Sequence, residues 1–396
     1  MIDRLAMRNF KAFREIELPL GALTLLTGLN SSGKSTVLQA LGLLHQSYVA
    51  GDLDQVAEIA VAFAEGRTPD EDHGNGFLLN SELVGLGTGQ DVLHEDFTGE
   101  DPAITLGVTE GRYRYAWTVG YAPEQNLLPL IATDLPLVTE GVARPDGDAA
   151  VQPAWFTAGF QYLHADRITP AEFYPRDHHA VIGRGFLGAR GEHTVNYLRH
   201  HAKDEVPEGP LRHPGTRSRF LLDQVAAWMG DLCPGVDIQA DAIAGADVVQ
   251  LSYGFEGSIG PSLRRRPGNV GFGLTYVLPV VVACLTARPG SLILLENPEA
   301  HLHPQGQTRM AGLAAAAAAH GVQLVVETHS DHVINGVRLA VKQGRLTPEQ
   351  VVLHFFRGDG TGVDVVSPQV DRDGLLDQWP EGFFDELENT LDQLIG

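Results

Sequence analysis

Cysteine is almost absent: Cys233 and Cys284 are the only two in 396 residues, and their spacing suits no metal site. That excludes a disulfide framework and a cysteine zinc site, and it suits a reducing compartment. Long apolar runs are missing too. The longest, Val277 to Leu285, is far too short to span a bilayer. The N-terminal MIDRLAMRNFKAF lacks the apolar core of a secretory signal. The expectation is a cytoplasmic protein with no membrane contact. Positive charge is scarce as well, with 28 Lys and Arg against 50 Asp and Glu, a net −22. Non-specific nucleic-acid binding over the whole surface is excluded by that balance.

The acidity is uneven. Residues 51–150 hold 19 acids against 4 arginines, or −15, and the last 26 residues hold 8 acids against Arg372, or −7. The remainder is near neutral, with arginines grouped at Arg264-Arg265-Arg266 and at Arg212, Arg217 and Arg219. These read first as a solvated surface and second as a face for DNA. Residues 1–28 alternate and then turn apolar, ending in Leu23-Thr24-Leu25-Leu26-Thr27, a strand pattern that stops at a glycine. Val37, Leu38, Leu41 and Leu44 then fall at helical spacing. Residues 51–155 are rich in Gly, Asp and Pro, with short alternating pieces such as Arg112 to Val119. A helix is expected at 217–230. The last third alternates helices at Thr275 to Thr286, Gln305 to Ala319 and Asp331 to Lys342 with buried strands at Ser291 to Leu295 and Val322 to Val326. That rhythm implies a mostly parallel sheet covered on both faces. Strands at 351–356 and 363–366 and an acidic helix at 382–395 complete the pattern.

Gly28-Leu29-Asn30-Ser31-Ser32-Gly33-Lys34-Ser35 matches G-x-x-x-x-G-K-[ST] in full, in a chain with only four lysines. Glycines let such a loop fold back and aim its backbone N–H groups at phosphate oxygens, and the following helix adds its positive dipole end. Lys34 would place a solvent-facing charge between the β- and γ-phosphates of ATP, and Ser35 would ligate Mg²⁺. The residues expected around the nucleotide are Asn30, Ser31, Ser32, Gly33, Lys34, Ser35 and Thr36. A second motif, Leu292-Ile293-Leu294-Leu295-Glu296-Asn297-Pro298-Glu299, is a buried strand ending in a carboxylate, where Mg²⁺ is held or a water polarised. About thirty residues on, Val325-Val326-Glu327-Thr328-His329-Ser330 ends the next strand with a histidine suited to sensing the γ-phosphate.

Taken together, "FKAF…LTLLTGLNSSGKSTVLQAL", "LILLENPEAHLHP" and "VVETHSDHVING" resemble ABC-type ATPases allied to the SMC and overcoming-lysogenisation-defect (OLD) groups. More narrowly, the chain resembles bacterial AAA-type ATPases that share Gly271-Phe272-Gly273 with Leu278-Pro279, and Trp379 to Asp385 in a small tail domain. The resemblance implies an α/β P-loop NTPase, an ABC/SMC-like head, with a β-rich insertion and a C-terminal extension. Its expected boundaries are 1–50 with 156–345 for the head, 51–155 for the insertion and 346–396 for the tail. It implies that Glu296 supports Mg²⁺, that His329 contacts the γ-phosphate, and that Asn269 to Thr275 is a signature loop reaching a partner's nucleotide. Two positions depart from the pattern. Asn297 stands where a catalytic glutamate is usual, so either Glu299 supplies the base or turnover is slow. The signature loop lacks a Ser-Gly-Gly core, leaving backbone N–H groups at Gly271 and Gly273. In His164-Ala165-Asp166-Arg167, Arg167 either approaches phosphate or pairs with Asp166 or a neighbour.

Three functions are weighed. The first is an ATPase whose homodimer or higher oligomer closes on ATP, acts through a separate effector such as a nuclease, and serves anti-phage defence or another DNA-associated process. An ATP-binding scaffold with little turnover is its variant. The second is an OLD-like nuclease, for which only Asp359, Asp364, Asp371 and Asp373 are at hand, in turn-like settings. The third, a transporter subunit, lacks the Ser-Gly-Gly-Gln signature.

Overall fold

The computed structural model describes residues 1–53, 75–136, 153–157, 159–257, 260–261, 263–358, 362–384 and 386–395. The chain opens with β1 (Arg4–Phe10), β2 (Phe13–Pro19), β3 (Leu23–Gly28) and α1 (Lys34–Val49). Next come β4 (Gly76–Leu78), β5 (Ala103–Glu110), β6 (Tyr113–Gly120), β7 (Leu127–Asp134) and β8 (Phe160–Leu163). The middle holds β9 (Tyr174–Pro175), α2 (Thr194–His201), α3 (Leu221–Leu232), β10 (Val236–Ala242), β11 (Val248–Gly257) and β12 (Gly260–Pro261). The last third runs α4 (Phe272–Thr286), β13 (Leu292–Glu296), α5 (Pro304–Ala319), β14 (Gln323–Glu327) and α6 (Asp331–Lys342). It closes with β15 (Val351–Gly358), β16 (Val363–Val366) and α7 (Glu386–Ile395). These form two compact units. One contains Met1–Leu20, Leu29–Ala158 and Phe356–Asp364, and the other Gly21–Gly28, Gly159–Phe355 and Val365–Gly396.

In the first unit an antiparallel sheet takes the order β2-β1-β5-β6-β7-β4. Period-two alternation puts Leu5 and Met7 of β1, Ile104, Leu106 and Val108 of β5, and Tyr115, Trp117 and Val119 of β6 out of water. Helix α1 packs against β1 and β4, with Val37, Leu38, Leu41 and Leu44 fully buried. Its buried Gln46 donates to the Leu78 carbonyl and accepts from the Val84 amide, at 2.5 and 2.9 Å. The helix after the glycine loop therefore also anchors the β4 region. The strands expected between 51 and 155 are present and complete a sheet begun by β1 and β2; the parts at 54–74 and 137–152 lie outside the described residues.

In the second unit β3, β14, β13 and β8 run parallel in that order, with β15 beside β3. Leu292 to Leu295 and Leu324 to Val326 are buried almost completely, as strands covered on both faces must be. Helices α5 and α6 pack closely because their facing residues are small. A Cβ added at Gly336 would lie 2.6 Å from the Ala311 Cβ and 2.8 Å from the Thr308 carbonyl. A small antiparallel sheet, β10 with β11, carries β9 and β12 on β11.

Two expected helices start later than their patterns suggested. The one expected at 217–230 begins at Leu221, because backbone groups of Arg219 and Leu221 are spent on Val206 and Asp204. The tail helix begins at Glu386 rather than 382. Gly382 and Phe384 take positive φ, which turns Phe383 into the core against Phe355 and Trp379, at 5.1 and 4.9 Å.

Candidate functional site

The glycine loop is shaped by backbone torsions. Gly28, Ser31 and Gly33 have φ of 130°, 59° and 92°, the positive-φ torsions with which successive amides can build an anion-binding concavity. Ser32 Oγ and Lys34 Nζ both donate to the Leu29 carbonyl, at 2.7 and 2.5 Å. Gly33 is fixed twice over, by its left-handed φ and by crowding. A Cβ there would lie 2.7 Å from Phe13 Cζ and 3.0 Å from Ala12 Cβ, in the turn between β1 and β2. Lys34 departs from expectation: it is only 3% exposed, so its ammonium is folded into the loop rather than set on the surface. In the same unit Lys11 donates to Gln39 Oε1 at 2.8 Å. Burial lowers the Lys11 pKa, opposed by Asp91. A cleft of about 470 Å³ adjoins the loop at Ser31 and is lined by Lys11, Ala12, Asp91, His94 and Glu95 among others.

In the second unit three parallel strand ends stand side by side. Glu296 of β13 is in register with Glu327 of β14. Glu327 in turn is in register with Leu26 of β3, two residues before Gly28. Glu296 Oε1 accepts from Tyr162 Oη at 2.6 Å and Oε2 from the Ala165 amide at 2.9 Å. Burial, then Glu296 and Glu327, hold the Tyr162 pKa well above its ordinary value, so the phenol remains a donor.

After β13 the chain turns through Asn297 at φ 44° and His301 at φ 64°; asparagine is among the residues that tolerate this region. The turn brings Glu299 back to β14's end. Its Oε1 accepts from Thr328 Oγ1 at 2.6 Å and from the His329 amide at 3.1 Å. Glu299 is 5% exposed. Its Oε2 and Asn297 Oδ1 are buried without a hydrogen-bond partner among the described residues. Burial raises the Glu299 pKa, partly countered by the Thr328 bond. His329 is half exposed, with Nε2 4.0 Å from Glu327 Oε1. Glu296, Asn297, Glu299 and His329 thus gather at one sheet edge, while residues 29–36 belong to the first unit.

Arg167 does not form the ion pair with Asp166 that its sequence offered. It is 1% exposed and serves backbone carbonyls: Tyr276 through Nε, His164 and Glu296 through Nη1, and Asn297 through Nη2, at 3.2, 2.8, 2.6 and 2.6 Å. Asp166 pairs instead with Arg190, at 3.2 Å. Gly271 and Gly273 also differ. A Cβ at Gly271 meets nothing within 4 Å, whereas one at Gly273 would lie 2.6 Å from the His301 carbonyl. Glu327 and Tyr162 are site residues that the motifs did not single out. Glu327 had a signal, since it ends an apolar strand as Glu296 does. Tyr162 had none, because only the pairing of β8 with β13 brings it near Glu296.

Residues 1–75 match the family model described as "AAA ATPase domain", and residues 216–335 the one described as "AAA domain, putative AbiEii toxin, Type IV TA system". Two segments of the chain thus match models of AAA ATPase-type domains. Residues 346–394 match "Protein of unknown function (DUF3696)". An OLD nuclease of Thermus scotoductus is 34% identical over 76 residues, 16% of this chain and 14% of that protein. A Streptomyces coelicolor protein described as "Putative ABC transporter ATP-binding protein SCO2324" is 33% identical over 161 residues, 41% of this chain and 25% of that one. The matches thus span a quarter or less of those relatives. A crystal structure of an Smc head bound to the C-winged helix domain of ScpA superposes with a TM-score of 0.50 at 13% identity, covering 93% of this chain and 98% of that one. The fold is an SMC-head-like P-loop NTPase fold. Among the described residues no helix is long and apolar enough to cross a membrane.

Proposed function

We propose that the chain binds ATP with Mg²⁺ on residues 28–36 and hydrolyses it, and that ATP closes a homodimer or higher homo-oligomer controlling a separate effector. The observation that carries this is the loop itself, with inward-turning torsions, Gly33 wedged against the Ala12–Phe13 turn, and Lys34 held inside. In this reading Asn30 to Thr36 surround the phosphates, and the cleft at Ser31 receives the nucleoside.

Glu296 fits a role toward Mg²⁺. Each of its oxygens spends one lone pair on Tyr162 or Ala165 and keeps another, which suits an ion that retains several of its own waters. Ser35 is the loop's own candidate ligand for such an ion, which when bound would neutralise charge on the β- and γ-phosphates. Glu299 takes the proton of the attacking water. Its Oε2 is an unused acceptor, and its raised pKa makes it the stronger base. Asn297 Oδ1, unused in the same turn, orients that water. His329 reads the γ-phosphate, and the amides of Gly271 and Gly273 meet the partner's triphosphate.

The head would be 1–50 with 156–345, leaving 51–155 and 346–396 for an effector such as a nuclease, within a cytoplasmic anti-phage system. DNA contact is left out of this reading. Arg219, Arg264 and Arg266 of the basic clusters face Glu205, Asp237 and Glu172. An OLD-like nuclease centre in this chain is disfavoured: Asp364 pairs with Arg357 at 2.7 Å and Asp371 Oδ1 accepts turn amides, while Asp359 lies outside the described residues. A scaffold that binds ATP with little turnover is the second reading, favoured by Asn297 at the usual base position. The test is ATP binding and hydrolysis by wild type and by Lys34→Ala, with thermal melting because Lys34 is buried. Wild-type turnover in a folded Lys34→Ala would sink the proposal.

A further inference from the structure

Arg167 lies outside the nucleotide motifs, yet it is among the most buried side chains of the protein. Burying a guanidinium is costly unless its N–H groups find acceptors. Here the acceptors come from three separate segments: His164 in its own turn, Tyr276 on α4, and Glu296 with Asn297 at the end of β13. The guanidinium also covers the Tyr276 ring, 4.1 Å from its centroid. A planar fork holds two successive carbonyls in fixed geometry from separate nitrogens, whereas the three donors of lysine radiate from one freely rotating atom.

The same turn is gripped again at its far side. Phe272 and Tyr276, on the first turns of α4, lie 4.7 and 4.9 Å from the His301 ring, and Gly273 sits against the His301 carbonyl. Tyr276 Oη donates to the Ala165 carbonyl. From the middle of the turn, Glu299 Oε1 reaches Thr328 Oγ1 and the His329 amide. Polar contacts and short stretches of backbone therefore link Tyr276 to His329 through Arg167 and residues 296–299.

We propose that Arg167 is a positioning residue that locks the start of α4, next to Gly271 and Gly273, to the Glu296–Glu299 turn and His329. A shift of α4 then shifts the hydrolytic groups with it. This rests on the ATPase reading above and adds to it a route by which a partner's contact with the signature loop governs turnover.

Arg167→Lys, Arg167→Met, Tyr276→Leu and the double variant Arg167→Lys with Tyr276→Leu test it. In the two Arg167 variants kcat should fall roughly ten- to a hundredfold, with KM for ATP nearly unchanged. Arg167→Met removes the buried charge but leaves four carbonyls without their donor, so its kcat is read beside its melting temperature. The double variant should lose less than the product of the single losses. Wild-type kcat in a folded Arg167 variant, strictly multiplicative losses, or a kcat deficit that merely tracks the folded fraction would each overturn the proposal. Hydrogen exchange of the nucleotide-free protein separates this from failure of the ATPase reading. Arg167→Lys should speed exchange at the His329 amide and around residue 276 even if no ATP is hydrolysed. Unchanged exchange at both places would overturn the coupling, whereas absent turnover in wild type would count against the ATPase reading alone.

Discussion

Gly33→Ala is the most direct probe of why the loop is built as it is. At φ 92° an L-residue costs about 1–2 kcal/mol from left-handed backbone sterics. The new Cβ would also sit 2.7 Å from Phe13 Cζ and 3.0 Å from Ala12 Cβ, an overpacking cost of about 1–3 kcal/mol. Together these come to about 2–5 kcal/mol, which at 1.4 kcal/mol per tenfold is roughly a 30- to 4,000-fold loss of ATP affinity if the loop alone yields. The measurement is calorimetric titration with ATP, paired with thermal melting to show that the sheet survives. Adding Phe13→Leu removes the Cζ but leaves the torsional cost, so it should restore roughly 5- to 100-fold. Wild-type affinity in Gly33→Ala would refute the reasoning outright, and no recovery with Phe13→Leu would refute the packing half of it.

Glu299→Gln should slow hydrolysis by about 10²–10⁴-fold while ATP still binds; the same loss from Glu296→Gln alone, with Glu299→Gln silent, would reassign the base. Because burial raises the Glu299 pKa in the folded chain, the stability this group contributes is complete below about pH 4.5 and is lost as pH rises through the raised value. Melting of Glu299→Gln should therefore gain on wild type as pH increases, and a constant difference across that range would contradict the assignment. His329→Ala should reduce turnover more than affinity, and equal weakening of ATP and ADP binding would mark the residue as structural. Gly271→Leu, at the glycine with room for a side chain, should leave the monomer folded yet reduce dimer formed with a non-hydrolysable ATP analogue in sedimentation. Identical distributions with and without the analogue would count against closure.

The elements of the last third were legible because each is governed by local periodicity. Strands β13 and β14 are unbroken apolar runs, and α6 begins at the Ser330 side chain that caps it. Gly33 was readable as a motif position, but its second reason, the side chain of Phe13, depends on a tertiary contact twenty residues away in sequence. Lys34 was misjudged for a related reason. A charged residue is normally exposed, and a bond to the loop's own carbonyl at Leu29, invisible in residue identity, helps hold this one inside. The network around Arg167 was beyond sequence reasoning altogether, since carbonyl acceptors leave no trace in residue identity. That Gly271 has room for a side chain and Gly273 has none likewise depends on the position of His301.

The Phe13 wedge has a consequence for how the chain is assembled. Phe13 belongs to β2, β2 pairs only with β1 in this sheet, and the other partner of β1 is β5, where Leu5 faces Val108. Strand pairing between segments so far apart in the chain must surrender much loop entropy before it returns any contact energy, and so it belongs to the slow part of folding. A nascent chain that has emerged only through residue 50 has the complete glycine-lysine motif but lacks β5, the strand that completes the pairing of β1. Nucleotide competence should accordingly arrive late, after residues 103–110 have docked, and drift among those strand residues should be felt at a motif that ended some seventy positions earlier.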